Sequence, residues 1–264
     1  MRSNRQNALL TLSYVFLAVL GTGIVVAGDL AVGMFGSLLL LIAVGGFVMV
    51  GCDTYLPRHR PAVEVGTAPS GAAAMVFPYP RVALVLPVFW TAAFLIWAAA
   101  GALLFLRADA PIGVWLLGSI AALLLWPLVA VLRGRIAVGG LYLTSTGVEY
   151  RHEGISWSTS WESIASAGPI ESHHSRDSLM IALTSWPERH DTTRVVWRRE
   201  VRLDKPVMVV SAQYVAGGAS VIADVLQRCV RLPQSRAELA QRYTVDQVNE
   251  LARLGSSGSA TAAP

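Results

Sequence analysis

Residues 82–106, VALVLPVFWTAAFLIWAAAGALLFL, and residues 112–132, IGVWLLGSIAALLLWPLVAVL, contain no Lys, Arg, Asp, Glu or His. A helix rises about 1.5 Å per residue, so roughly 20 such residues cross the hydrocarbon core of a bilayer. The short turn around Arg107-Ala108-Asp109 joins the two into a membrane hairpin. Towards the N-terminus, residues 8–26 and 31–50 repeat the pattern around Ala27-Gly28-Asp29-Leu30. The first apolar run follows Arg2 and Arg5, and it exceeds the about 7–15 apolar residues of a secretory signal, so it reads as an uncleaved anchor. The sequence therefore predicts a region 1–132 with four transmembrane spans: 8–26, 31–50, 82–106 and 112–132.

Composition agrees. Of 264 residues 54% are hydrophobic and 14% charged, and the mean hydropathy is +0.52, whereas soluble domains carry about 25% charge. The deficit is uneven: residues 1–132 hold 6 basic and 4 acidic side chains, residues 133–264 hold 15 and 13. A membrane half is joined to an aqueous half. Basic residues also alternate along the connections. The N-terminus has Arg2 and Arg5, the first hairpin none, the 51–81 loop Arg58, Arg60 and Arg81, the second hairpin Arg107, and the segment after the last span Arg133 and Arg135. Because basic loops stay on the cytoplasmic side, the expected topology is multi-pass with both termini inside. Arginine outnumbers lysine 20 to 1, which reads as the coding bias of a GC-rich bacterial genome and places the protein in the inner (plasma) membrane.

Arg58, Arg60, Arg81, Arg133 and Arg135 are the candidate membrane-interface residues, a basic collar that either only sets topology, the favoured reading, or also attracts anionic lipid by about 1 kcal/mol each. The Ala-, Gly- and Pro-rich loop reads as a flexible cytoplasmic linker over 51–81. Gly33/Ser37 and Ala98/Ala102 have small-xxx-small spacing for close helix packing. The absence of ionisable side chains within the spans argues against charge-coupled transport, which meets its cargo with such groups.

After Arg135 the pattern becomes alternating. Leu141-Tyr142-Leu143 and Val148-Glu149-Tyr150-Arg151 flank Thr144-Ser145-Thr146-Gly147, a hairpin signal. Ile155, Trp157, Thr159 and Trp161 alternate with Ser156, Ser158 and Ser160, predicting a strand with one buried face. Further strands are expected at 178–184, 195–203 and 207–214. Ser220 is placed to cap a helix whose stripe is Val221, Ile222, Val225, Leu226, Cys229 and Val230, ending at Pro233. Capping boxes at Ser235–Glu238 and Thr244–Gln247 start a short helix and a final one to Leu254. Residues 255–264, rich in Gly, Ser and Ala, read as a disordered tail.

Several short strands closed by one amphipathic helix make a small sheet structure or split barrel. Residues Gly140–Arg151, followed by Trp161-Glu162-Ser163-Ile164, resemble the opening of bacterial pleckstrin-homology-like (PH-like) domains. There a "Leu-Thr … Gly-Ile-x-Tyr" hairpin leads to a "Trp-x-x-Ile" turn. The segment Pro233-Gln234-Ser235-Arg236-Ala237-Glu238-Leu239 is similar to the end of PH-like domains in membrane proteins of high-GC bacteria. The resemblance covers roughly 135–240. It implies a seven-stranded barrel capped by a helix, a role in binding or assembly, and no catalytic residues. PH domains that bind phosphoinositides use a basic loop after their first strand; the corresponding turn Thr144–Gly147 has no Lys or Arg.

The expected fold is thus a four-helix, all-α transmembrane region followed by a cytoplasmic, β-rich PH-like split barrel over 133–254, capped by a C-terminal helix. Cys52 and Cys229 are too few and too far apart for a disulfide framework or a metal site. His173-His174 with Asp177, and His190-Asp191, lack metal-ligand spacing, and adjacent residues on a strand point to opposite faces. The mixed-sign stretch Arg189–Lys205 reads as a solvated strand face. No nucleophile elbow, P-loop, dinucleotide fingerprint or HExxH occurs, and a formal charge of +4 spread over both halves does not make a nucleic-acid surface. The expectation is a non-catalytic protein with no cofactor, no metal and no nucleic-acid partner. Its cytoplasmic domain serves protein interaction or assembly, with the bilayer and an unidentified protein or a second copy as partners. The alternative is an accessory or pore-forming subunit of a transport system with a regulatory cytoplasmic domain.

Overall fold

The computed structural model describes residues 4–27, 29–56, 59–152, 155–170, 177–192 and 205–260. The chain divides into two compact units, residues 1–58 with 85–133 and residues 59–84 with 134–264.

The first unit is helical: α1 (Asn4–Ala27), α2 (Leu30–Tyr55), α3 (Val82–Arg107) and α4 (Pro111–Leu132). Three stretches, Val32–Cys52, Val82–Arg107 and Pro111–Leu132, are long and apolar enough to cross a membrane, while the apolar part of α1, Leu10–Val26, is shorter. The Asp29 carboxylate accepts from the Val32 N–H at 3.2 Å and caps α2. Pro111 opens α4, where its missing N–H costs nothing. Contact between α1 and α2 is set by Gly21 and Gly36: a Cβ on either would lie 2.8 or 2.7 Å from the other's carbonyl oxygen. The expected pair Gly33/Ser37 is corrected here. Gly33 faces open space, and the Ser37 hydroxyl instead donates to the Met34 carbonyl at 2.8 Å and accepts from Trp97 Nε1 at 3.0 Å. Ala98 is fully buried.

The second unit contains two antiparallel sheets. Among the described residues one runs β1 (Glu64–Thr67), β2 (Ala73–Pro78), β3 (Gly140–Thr144), β4 (Gly147–His152), β5 (Ile155–Ser160) and β8 (Glu188–Thr192). The other runs β6 (Ile164–Ile170), β7 (Ser178–Leu183) and β9 (Val207–Ser211). Two helices follow, α5 (Gly218–Arg231) and α6 (Arg242–Ala260), with a 3-10 turn at Pro233–Glu238 between them. The hairpin expected at Thr144–Gly147 forms with Leu143 opposite Val148. The Thr144 hydroxyl accepts from the Gly147 N–H at 3.0 Å, and the Thr144 carbonyl accepts from Trp161 Nε1 at 2.9 Å. Thr159 and Trp161 are buried as their alternation required.

The linker reading of 51–81 is overturned for its second half. Residues 64–67 and 73–78 are β1 and β2, and β2 pairs in register with β3, Met75 against Leu143 and Phe77 against Leu141. All four of these side chains are fully buried. Short apolar strands punctuated by Gly and Pro carry too little periodicity to declare themselves, and the partner strand lies more than sixty residues away across two apolar helices. Ile164, expected as the end of the Trp161–Ile164 turn, opens a further strand, Ile164–Ile170. This strand lies at the edge of its sheet, where Pro169 is tolerated.

The C-terminal expectations change as well. Ser220 is inside α5, whose cap position is Gly217 at φ +71. The last helix starts at Arg242 and runs to Ala260, so residues 255–260 are helical where a disordered tail was expected; once a helix is nucleated, each further residue adds a hydrogen bond without a new nucleation cost, and no proline interrupts the segment. The strand expected at 195–203, His173-His174 and residues 261–264 lie outside the described residues.

The core of this unit joins both sheets to α5 and α6. Phe77, Leu141, Leu143, Trp161, Leu179, Ile181, Met208, Ile222 and Leu226 are all buried in one cluster with Val245, Val248 and Ala252. Tyr79 ties the sheets at one end, its hydroxyl donating to the Ser211 carbonyl at 2.5 Å.

Candidate interaction site

Two helices, α5 and α6, border a groove. The α5 stripe Val221, Ile222, Leu226 and Cys229 turns towards the core, and α6 contributes Val245, Val248 and Ala252 to it at i, i+3 and i+7. A second α6 stripe, Tyr243, Leu251 and Leu254, stays 71%, 56% and 64% exposed. Between this stripe and α5 lies a groove of about 740 Å³, with Val221, Val225, Cys229, Leu239 and Val248 in its walls. That volume falls within the range of roughly 300–1,000 Å³ typical of ligand sites. Its charged lining residues are Asp224 and Arg228, one turn apart on α5, and Glu238. Cys229 is 2% exposed, and its burial pushes the thiol pKa up despite the neighbouring Ser235 hydroxyl. The thiol is therefore protonated and unreactive at neutral pH.

The five arginines of the expected collar separate into different environments. Arg81, directly before α3, and Arg133 and Arg135, directly after α4, are exposed. Arg133 caps α4, where a cation meets the negative end of the helix dipole. Arg58 lies outside the described residues. Arg60 is committed elsewhere, its Nη2 3.1 Å from Asp177 Oδ2 with 27% of the side chain exposed, so it does not belong to a solvated collar. The Oδ1 of Asp177 in turn accepts from the Ala219 N–H at 2.8 Å in the first turn of α5. Among the described residues no group of three or more His, Cys, Asp or Glu converges as a metal site would.

His190 stands on strand β8. Its Nε2 is 2.5 Å from the Ser158 hydroxyl and its Nδ1 3.9 Å from Glu188. The order Glu–His–Ser is that of a proton relay. The His and Glu side chains are 48% and 77% exposed on an open sheet face, where water competes for each bond, and the contacts serve to pair β5 with β8. A different polar cluster lies beside Trp161, where the Arg236 guanidinium sits 5.5 Å from the ring centroid and pairs with Glu162 at 2.9 Å.

No protein-family model, curated protein or solved structure matches the chain.

The sequence reading missed the groove. Its signal was present in α6, where apolar residues fall on two stripes, 245/248/252 and 243/251/254. A helix that is apolar on two faces needs two partners, and the core supplies one.

Proposed function

We propose that the chain is a four-span bacterial inner-membrane protein with both termini cytoplasmic, and that its sheet unit is a PH-like split barrel acting as a non-catalytic docking module for a protein partner. The fourth span is α1. It packs closely on α2 at Gly21–Gly36, and its outward Leu12, Phe16 and Val19 are 65–68% exposed, an apolar surface that lipid would cover. Two antiparallel sheets with α5 packed on β6 and β7 support the PH-like reading. So does the buried Trp161 following the Thr144–Gly147 hairpin.

The docking role rests on one observation, the apolar α5–α6 groove with Tyr243, Leu251 and Leu254 exposed along it. Its occupant is an amphipathic helix: ridges of a third helix fit between two others, and Asp224 and Arg228, one turn apart, set the direction of a helix bearing the opposite pair. The test is a photo-crosslinking residue at position 243 in the full-length protein in its native membranes. The expected product is a protein adduct whose crosslinked peptide is an amphipathic helix, lost in the double variant Leu251→Glu, Leu254→Glu. Absence of such an adduct, or its persistence in that variant, overturns the reading.

A further inference from the structure

One wall of the α5–α6 groove is itself the kind of helix the groove would take. Two features fix α6 in place. Asn249 Oδ1 accepts from the Val63 N–H and Asn249 Nδ2 donates to the Val63 carbonyl, both at 2.8 Å, so the amide closes the sheet edge where β1 begins. Val245, Val248 and Ala252 enter the core. Held this way, α6 keeps its second apolar stripe, Tyr243, Leu251 and Leu254, exposed. At about 100° per residue, its charged residues Arg242, Asp246, Glu250 and Arg253 all fall on one flank of that stripe. Charges on such a flank pair across helix interfaces. Among the described helices no other combines these features. Each of α1 to α4 carries charge of at most one sign, and the core takes up the apolar side chains of α5.

We infer that the occupant of the groove is α6 of a second copy of this chain. The inference rests on the groove being the docking site and names its partner. Asp224 and Arg228 lie four residues apart on α5, both exposed; Arg242 and Asp246 lie four apart on α6, also exposed, with the signs reversed. An incoming α6 that runs in the same direction as α5 sets its Arg242 against Asp224 and its Asp246 against Arg228. Its Tyr243, Leu251 and Leu254 then meet the apolar walls at Val225 and Val248. Two-fold symmetry makes the exchange mutual, each copy giving one helix and one groove, so both exposed stripes are covered at once. The chain also holds three helices long and apolar enough to cross a membrane. Copies confined to one bilayer meet at a raised effective concentration, so a contact of this modest size is enough.

The experiment co-expresses two full-length copies with different tags in native membranes, one of them carrying a photo-crosslinking residue at position 243. The expected product contains both tags and joins position 243 of one copy to α5 or α6 of the other. Asp224→Arg in both copies, or Arg242→Asp in both, sets like charges against each other and should lower the yield of that product by about fivefold or more. Both positions are exposed, so the fold tolerates either change. A copy with Asp224→Arg co-expressed with a copy with Arg242→Asp has opposite charges again at one contact and the native pair at the other. Its yield should return to the parent level, a result that no effect within a single copy produces. A two-copy product that ignores the reversals, or a mixed pair no better than the reversed ones, overturns the inference. A product with a different protein in place of the second copy also overturns it and leaves the docking role standing, whereas the absence of any protein adduct overturns the docking role itself.

Discussion

Replacing Phe77 by Ala decides whether the segment between α2 and α3 is a linker or part of the folded sheet. Phe77 has no solvent exposure, sits opposite the equally buried Leu141, and belongs to the cluster that includes Trp161 and Ile222. Truncating such a ring removes its transfer free energy and leaves a cavity, a loss of about 3–5 kcal/mol. Against a total stability of about 5–15 kcal/mol, that is a fifth of the reserve or more. At about 1.4 kcal/mol per factor of ten, it raises the unfolded fraction of the unit by roughly two to four orders of magnitude. The assay is pulse proteolysis of the full chain in detergent across a urea series, following cleavage within the sheet unit. Val65→Ala serves as the control: Val65 is 46% exposed on β1 and should cost less than about 1 kcal/mol. If Phe77→Ala stays within about 0.5 kcal/mol of the parent, as surface changes do, β2 does not belong to the core and the two-unit division is wrong.

Asp177→Asn keeps an acceptor for the Ala219 N–H while losing the charge on Arg60, whereas Asp177→Ala loses both. Amide exchange at Ala219 should stay near the parent rate in the first and rise by about two- to thirtyfold in the second, the range of a lost helix cap. Gly36→Leu should separate α1 from α2, because its Cβ meets the Gly21 carbonyl at 2.7 Å, while Gly33→Leu should be silent; the yield of a crosslink engineered between the two helices in membranes measures this. The pKa of Glu162 is held below its ordinary value, first by a hydrogen bond from its own backbone N–H and then by Arg236. A depressed carboxylate stabilises the fold above its unfolded pKa and loses that contribution as pH falls through the folded value. The Glu162–Arg236 contact should therefore persist through neutral pH and release only below the usual carboxylate range, as followed by the NMR shift of the Arg236 guanidinium. Arg236→Ala should move the Glu162 titration upward; an unchanged midpoint would show that the pair does not form.

What was readable in the chain depended on how local the information was. The membrane-length stretches of α2, α3 and α4, Val32–Cys52, Val82–Arg107 and Pro111–Leu132, were placed within about two residues, because a bilayer-length stretch without charge needs no partner to be recognised. The β3–β4 hairpin and β5 were equally local, a turn residue or a period-2 alternation stating the structure by itself. The β1–β2 pair was not, since its only justification is pairing with β3 across an inserted helical hairpin. The cap of α5 was misplaced for a related reason. Ser220 satisfies the local capping rule, yet the acceptor is Asp177, forty-two residues away.

Among the candidate site residues, the sequence could count arginines but could not tell a topological charge from a structural one. Arg81, Arg133 and Arg135 lie exposed beside helix ends. Arg60 differs only because folding brings it to a carboxylate. The groove follows the same division: two apolar stripes on α6 were written in the sequence, but which one the core would take depended on where α5 and β1 lie.

The sequence by itself determined the membrane-length helices, the polar turns between them, and the alternating strands of the aqueous half. Each of these follows from side chains within a few residues of one another, where periodicity and hydration dominate. Only the tertiary structure decided that the stretch before α3 completes the sheet, that Asn249 closes its edge, and that Arg60 and Asp177 share one helix cap. Those contacts join residues more than forty positions apart, and their energy exists only once the chain has closed the loops between them.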